Sequence, residues 1–355
     1  MALGRLYLKE FRLFRDFNLQ LSQKTILFGS NGSGKTTILE ALNILLAGTS
    51  QRTKDLSECV TEGKGSFKLG LSGQSGSQQI FLEAEKKLNR RISFKKKKGN
   101  LIAKSKDFPL TINILASHLR MIEGEPELRR DFFFKTMFHV EQKSKQAYQD
   151  YQKALVQRNK ALKGRLTEKE LNIWTERLKK AGDILNKENI SFFYKLKKSF
   201  LDSLHNSEKK EILPFLGGLE IKFYQGWSKG KDLGSLLNEN LQKDKALGYT
   251  SAGPHRLDLI IHIKNKLARS VLSRGQQKIL ILLIFLYTES LFREGREEGS
   301  IFLIDDIVSE LDEDNLKIIL EEIALVKSQV ILATVKDKMI DNSDDITGKF
   351  NQINL

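Results

Sequence analysis

A mixed α/β domain interrupted by a block of helices is the fold these 355 residues predict, and three observations predict it. The apolar strand Thr25-Ile26-Leu27-Phe28 runs into a glycine-rich loop that opens a helix at Thr37-Ile38-Leu39-Glu40-Ala41-Leu42, the strand, loop and helix order of an α/β unit. A second α/β stretch lies far downstream, with a helical run at Ile279 to Leu291 and buried strands at Ile301 to Ile304 and Val330 to Ala333. Between them, from about Ser144 to Asn206, apolar residues recur at heptad-like helical steps. One sheet domain built from both ends of the chain, with the helices inserted between, accommodates all three.

Taken in order, Leu6-Tyr7-Leu8 and Phe17 to Leu21 are rich in strand formers and lead towards the loop. Gly63 to Asn100 is rich in glycine and serine, then basic at Arg90, Arg91 and Lys95 to Lys98, which predicts short strands joined by exposed hairpins. A lysine run is ordinarily a solvated face, so no site is assigned to it. In the helical block, Leu171, Trp174, Leu178, Ala181 and Leu185 form one stripe, and Phe193, Leu196, Phe200 and Leu204 a second; both read as packing between two or three helices. Thr167 with Glu170 three residues on is a capping box, which starts a helix after a break near Gly164. Leu257 to Ile263 alternates as a strand should. The expected organisation is residues 1–115 as the N-terminal part of the head, 116–245 as a helical arm, and 246–355 as the C-terminal part of the head.

Composition narrows the function classes. The longest apolar run, Ile279 to Tyr287, is about half a membrane span, so no membrane role is expected. Met1 to Arg5 lack the apolar core of a signal peptide, and the expected location is the cytoplasm. The single cysteine, Cys59, excludes an internal disulfide and a cysteine metal cluster. A net charge of +15 favours a phosphate polymer as partner, although a lysine-rich surface alone gives the same number.

The chemistry is carried by three motifs. Gly29-Ser30-Asn31-Gly32-Ser33-Gly34-Lys35-Thr36 fits the P-loop pattern, and Thr37 continues it into the helix. Its glycines turn backbone N–H groups towards a phosphate, Lys35 reaches the outer phosphates and Thr36 offers a magnesium ligand, so ATP and Mg2+ are the expected cofactors. Ile301-Phe302-Leu303-Ile304-Asp305-Asp306 is a buried strand ending in two carboxylates. Asp305 is the expected metal partner, and Asp306 is placed to orient or deprotonate the attacking water. Ser273, Gly275 and Gln276 of Leu272-Ser273-Arg274-Gly275-Gln276-Gln277 begin a further helix, expected from Lys278 to Leu291, and make a second phosphate cradle. One ATP does not need two cradles from one chain; the economical reading is that this one faces the γ-phosphate on a second copy, in an ATP-dependent homodimer.

In this order the motifs resemble the Walker A, signature and Walker B of ABC-type ATPases, and Ser309-Glu310-Leu311-Asp312 matches their D-loop. Two positions depart from the transporter pattern: Asp306 stands where a glutamate is usual, and Thr334 stands where transporters place a histidine. Both point away from transport. Leu6 to Phe14, Ile122-Glu123-Gly124-Glu125-Pro126 with Arg129-Arg130-Asp131-Phe132, Gln157 to Lys163 with Trp174, and Ser251-Ala252-Gly253-Pro254-His255-Arg256 resemble the RecF family over nearly the whole chain. The resemblance implies an SMC-like ATPase head with a helical arm that dimerises with ATP on double-stranded or gapped DNA and helps load recombinase with RecO and RecR. The family places an aspartate after the Pro-His-Arg run, where this chain has Leu257. His255 and Arg256 read equally as neighbours of phosphate and as parts of a structural turn.

Overall fold

In a computed structural model the chain is described over residues 2–102, 108–205, 213–293, 299–308, 311–335 and 348–355. In chain order its first strands are β1 Ala2–Phe11, β2 Phe14–Gln20, β3 Lys24–Phe28, β4 Ser66–Ser75, β5 Gln78–Lys87, β6 Ser93–Lys98, β7 Leu101–Ile102 and β8 Leu110–Leu115. The later strands are β9 Leu219–Tyr224, β10 Asp258–Ile263, β11 Lys266–Leu267, β12 Ser300–Asp305, β13 Gln329–Thr334 and β14 Asn351–Asn354. The backbone divides into two compact units, residues 1–119 with 274–355, and residues 120–273.

The first unit stacks two sheets on one helix, α1 (Lys35–Ala47). The antiparallel sheet runs β2-β1-β4-β5-β6-β7, and the other, ordered β14-β3-β13-β12-β8, is parallel throughout. Both of its faces are covered, which is why β12 and β13 are apolar without alternation. Ile301, Leu303, Ile331 and Ala333 join a core with α1 and with Leu6, Leu8, Phe67, Leu69, Leu71, Ile80 and Leu82 of the antiparallel sheet. Residues 66–87, expected as short exposed hairpins, are instead two ten-residue strands whose inner side chains are buried in that core. Gln329 ties the sheets together: its side chain accepts from Leu3 N (2.7 Å) and donates to Leu3 O (2.9 Å).

The second unit pairs the helices Ser144–Leu162 and Glu168–His205 and adds the sheet β11-β10-β9. The two apolar stripes of the sequence lie on one continuous helix of 38 residues; Asn206 falls outside the described residues. Its capping box is formed, with Thr167 N donating to Glu170 Oε2 (2.8 Å) and Glu170 N to Thr167 Oγ1 (3.3 Å). Arg158 is wholly buried and donates to Asp244 Oδ2 (2.8 Å), Thr250 Oγ1 (2.7 Å) and Thr175 Oγ1 (3.1 Å). Residues 246–273, expected with the C-terminal head, lie in this unit because β10 takes its ladder from β9. No helix among the described residues is long and apolar enough to cross a membrane.

Candidate nucleotide site

β3 ends at Phe28 and α1 begins at Lys35, so Gly29 to Gly34 form the connecting loop at the carboxyl edge of the parallel sheet. Gly34 sits at the N-cap with φ 108°, and a Cβ there would lie 2.4 Å from Phe14 Cζ, so the position admits only glycine. With no side chain to cap it, the first turn of α1 leaves its N–H groups to an anion. Lys35 folds back over the loop, Nζ donating to Gly29 O and Ser30 O, both at 2.8 Å.

The parallel register sets Phe28 beside Thr334, and Ala333 beside Asp305, so the loop and the acids share one edge of the sheet. Thr36 Oγ1 donates to Asp305 Oδ1 at 3.0 Å, which brings residues 269 apart in sequence into one site. Burial raises the Asp305 pKa, the Thr36 hydrogen bond opposes this, and the neighbouring Asp306 charge adds to it. Asp306 is exposed, donates its backbone N–H to Ala333 O (3.1 Å), and has φ 52°, a left-handed conformation that turns the chain sharply after the strand.

A cavity of about 470 Å³ opens between loop and acids, lined by Asn31, Gly32, Gly34, Lys35, Thr36, Thr37, Asp305 and Asp306. Gly29, Ser30 and Ser33 belong to the loop without lining the cavity among the described residues; the first two hold Lys35 through their carbonyls. Arg12, Leu13 and Arg52 complete the lining, and none of the three was singled out from sequence. Arg12 lies within the Leu6 to Phe14 stretch that carries the family resemblance, whereas Arg52 stands in a segment with neither periodicity nor motif. Backbone N–H groups at a helix start, a lysine, two arginines and a hydroxyl–carboxylate pair together match a polyphosphate with a hard divalent cation.

The signature residues lie elsewhere. The helix they open begins at Arg274, four residues before the expected start, so Gly275 and Gln276 are in its first turn. Ser273 and Arg274 are exposed, and the division between the units falls between them. Gly275 and Gln276 are not among the residues lining the cavity. A Cβ on Gly275 would meet Leu311 Cδ2 at 3.9 Å, ordinary contact. In the D-loop match, Ser309 and Glu310 fall outside the described residues; Leu311 is buried, and Asp312 caps the helix Glu313–Leu325 by accepting from Asn315 N at 2.9 Å.

In the second unit His255 is turned inward. The Thr250 carbonyl can only accept, so His255 Nε2 carries the proton and donates to it (3.0 Å), while Nδ1 accepts from the Tyr151 hydroxyl (2.6 Å). Burial lowers the His255 pKa to about 4 against the opposing Thr250 bond. The structural turn is therefore the reading the geometry favours for His255. Arg256 stacks its guanidinium over Tyr249 at 5.4 Å. Leu257 is fully buried, and the next residue, Asp258, takes a bidentate pair from Arg129 at 2.7 and 2.8 Å.

An all-parallel P-loop sheet, an antiparallel sheet against the P-loop helix, and paired aspartates at the end of a second strand define an ATPase head of the ABC type. The fold is similar to the Smc head domain of Pyrococcus furiosus, at a TM-score of 0.56 and 17% identity over 97% of this chain and 92% of that one. A solved structure of the recombination mediator protein RecF with ATP, from the RecFOR pathway, superposes at a TM-score of 0.74 with 23% identity over 96% and 93% of the two chains. The AAA ATPase domain family matches residues 1–214. The DNA replication and repair protein RecF of Teredinibacter turnerae is 32% identical over 96% of this chain and 90% of its own length, and that of Hahella chejuensis 32% identical over 99% and 95%. The chain belongs to the RecF family.

Proposed function

We propose that the protein is an ATP-driven DNA-binding switch of recombinational repair and replication; the Thr36–Asp305 contact inside the P-loop cavity carries the nucleotide part of this reading, and membership of the RecF family supports the DNA part. On ATP binding, Lys35 exchanges the Gly29 and Ser30 carbonyls for phosphate oxygens, and the N–H groups at the start of α1 cradle the chain of phosphates. Thr36 and Asp305 are hard oxygen donors at the spacing that suits Mg2+, which would neutralise phosphate charge when bound. Asp306 orients the attacking water and accepts its proton. Aspartate is one methylene shorter than glutamate, so the water is held less closely and turnover is slow, well below about 10 per second. DNA-free turnover in the tens per second would overturn that role for Asp306.

Ser273, Gly275 and Gln276 meet the γ-phosphate on a second copy, so ATP closes a homodimer. The names of the relatives, a DNA replication and repair protein and a recombination mediator of the RecFOR pathway, support DNA as the ligand and RecO and RecR as partners, and the charge of +15 suits a phosphate polymer. Double-stranded or gapped DNA, a cytoplasmic setting and the loading of recombinase are carried over from the family resemblance. The test is sedimentation of wild type, Lys35→Ala and Ser273→Arg with labelled duplex DNA, with and without ATP and magnesium. Wild type is expected to dimerise on DNA only with ATP; Lys35→Ala loses nucleotide, and Ser273→Arg keeps ATP yet stays monomeric. Equal binding by a nucleotide-free monomer would overturn the switch.

A further inference from the structure

Five residues beyond Lys35, α1 carries Glu40, whose carboxylate is wholly buried in a helix packed mainly by apolar side chains. A buried carboxylate persists only where other groups compensate its charge and satisfy its lone pairs. Here Arg12 grips it with two hydrogen bonds, Nε to Oε2 at 3.0 Å and Nη2 to Oε1 at 2.8 Å. Ser50 Oγ donates to Oε1 at 2.5 Å, the Cys59 thiol approaches the same oxygen at 3.6 Å, and Arg52 Nη1 stands 3.6 Å from Oε2. Arg12 is held further by a bond from Nη1 to Glu58 O (2.9 Å). Burial raises the Glu40 pKa, but the Arg12 and Ser50 hydrogen bonds and the two guanidinium charges outweigh it, so its pKa falls below the ordinary value and the carboxylate stays ionised. Cys59 is pushed up to about 12 by burial and by that charge, and remains a thiol.

Both arginines held by Glu40 line the P-loop cavity. Fixing α1 to the turn between β1 and β2 requires Arg12 alone. Arg52 leaves 46% of its side chain exposed at the cavity while keeping the acid within ion-pair reach, a placement that serves a ligand rather than the core. We propose that Glu40 is a positioning residue, a buried carboxylate that aims the guanidinium groups of Arg12 and Arg52 at the triphosphate bound by the P-loop. The assignment rests on reading the cavity as an ATP site. Glu40 does not line the cavity and acts through the two cations, fixing the planar Arg12 by two hydrogen bonds and holding Arg52 near by charge at 3.6 Å.

The experiment measures the affinity of a fluorescent ATP analogue with magnesium, and the thermal midpoint, for wild type, Lys35→Ala, Glu40→Gln, Arg52→Ala and the Glu40→Gln/Arg52→Ala pair. Glu40→Gln keeps the shape and removes the charge; it is expected to weaken the analogue by about tenfold or more, the scale of a lost charge-assisted hydrogen bond. In the Arg52→Ala background the same substitution is expected to cost a distinctly smaller factor, because part of its effect is already gone. A purely structural Glu40 gives equal factors in both backgrounds, and that result, or unchanged affinity in Glu40→Gln, overturns the proposal while leaving the ATP site intact. If Glu40→Gln does not fold, Arg52→Ala decides alone: unchanged affinity overturns the proposal. If wild type binds no analogue in a Lys35-dependent way, the ATP reading falls and this assignment with it.

Discussion

His255 and Arg158 are polar residues turned into a core, and each has there a partner remote in sequence, Tyr151 for the first and Asp244 for the second. His255 has an ordinary pKa near 6.5 and a folded pKa of about 4, so between those values the unfolded chain binds more protons than the folded one. Its contribution is therefore complete above about pH 6.5 and is lost progressively as the pH falls towards 4. Thermal midpoints at pH 7.5 and pH 5 are expected to fall in wild type and to fall less in His255→Gln; equal falls would remove His255 from the acid response. Arg158 sits in the Gln157 to Lys163 run that resembles the family arm, and by composition it belongs on a surface. It is buried because Asp244, 86 residues away, supplies the opposite charge. Such a partner lies outside any local pattern, as does the Arg52 that completes the cavity lining, so neither residue could be placed from sequence.

Elements whose signals are local were legible. The P-loop was, because strand, glycine loop and helix follow within about twenty residues. The break before the long helix was too, because both halves of its capping box lie three residues apart. Thr167→Ala removes the hydroxyl that caps Glu170 N, and a loss of about 1 kcal/mol is expected in urea unfolding. An unchanged midpoint would mean that the start of the helix is held by packing alone. Less legible were strands defined by their neighbours. β8 carries no motif and owes its place to the parallel ladder with β12, while β10, read correctly as a strand, was assigned to the wrong unit because its partner β9 has weak alternation. The stripes at Leu171 to Leu185 and Phe193 to Leu204 belong to one helix with one buried face; the polar Asn189 is fully buried on that face between them, and it interrupts the apolar pattern in the sequence.

For the whole molecule, a ligand that binds only the folded state raises its stability by mass action. ATP with magnesium is expected to raise the thermal midpoint of the wild type with increasing concentration and to leave Lys35→Ala unmoved; a parallel rise in that variant would place the nucleotide elsewhere. The parallel sheet has a further consequence for how the protein is made. Its order is β14-β3-β13-β12-β8, so the two strands synthesised early, β3 and β8, are not neighbours, and both wait for β12 and β13, which follow the entire inserted unit. On the ribosome the P-loop strand therefore emerges with no permanent partner in its sheet, while residues 120–273 have all their own contacts in hand. The parallel sheet should therefore close only when β13 arrives, because β13 sits between β3 and β12 and brings the P-loop and the aspartates to one edge in the step that completes the site.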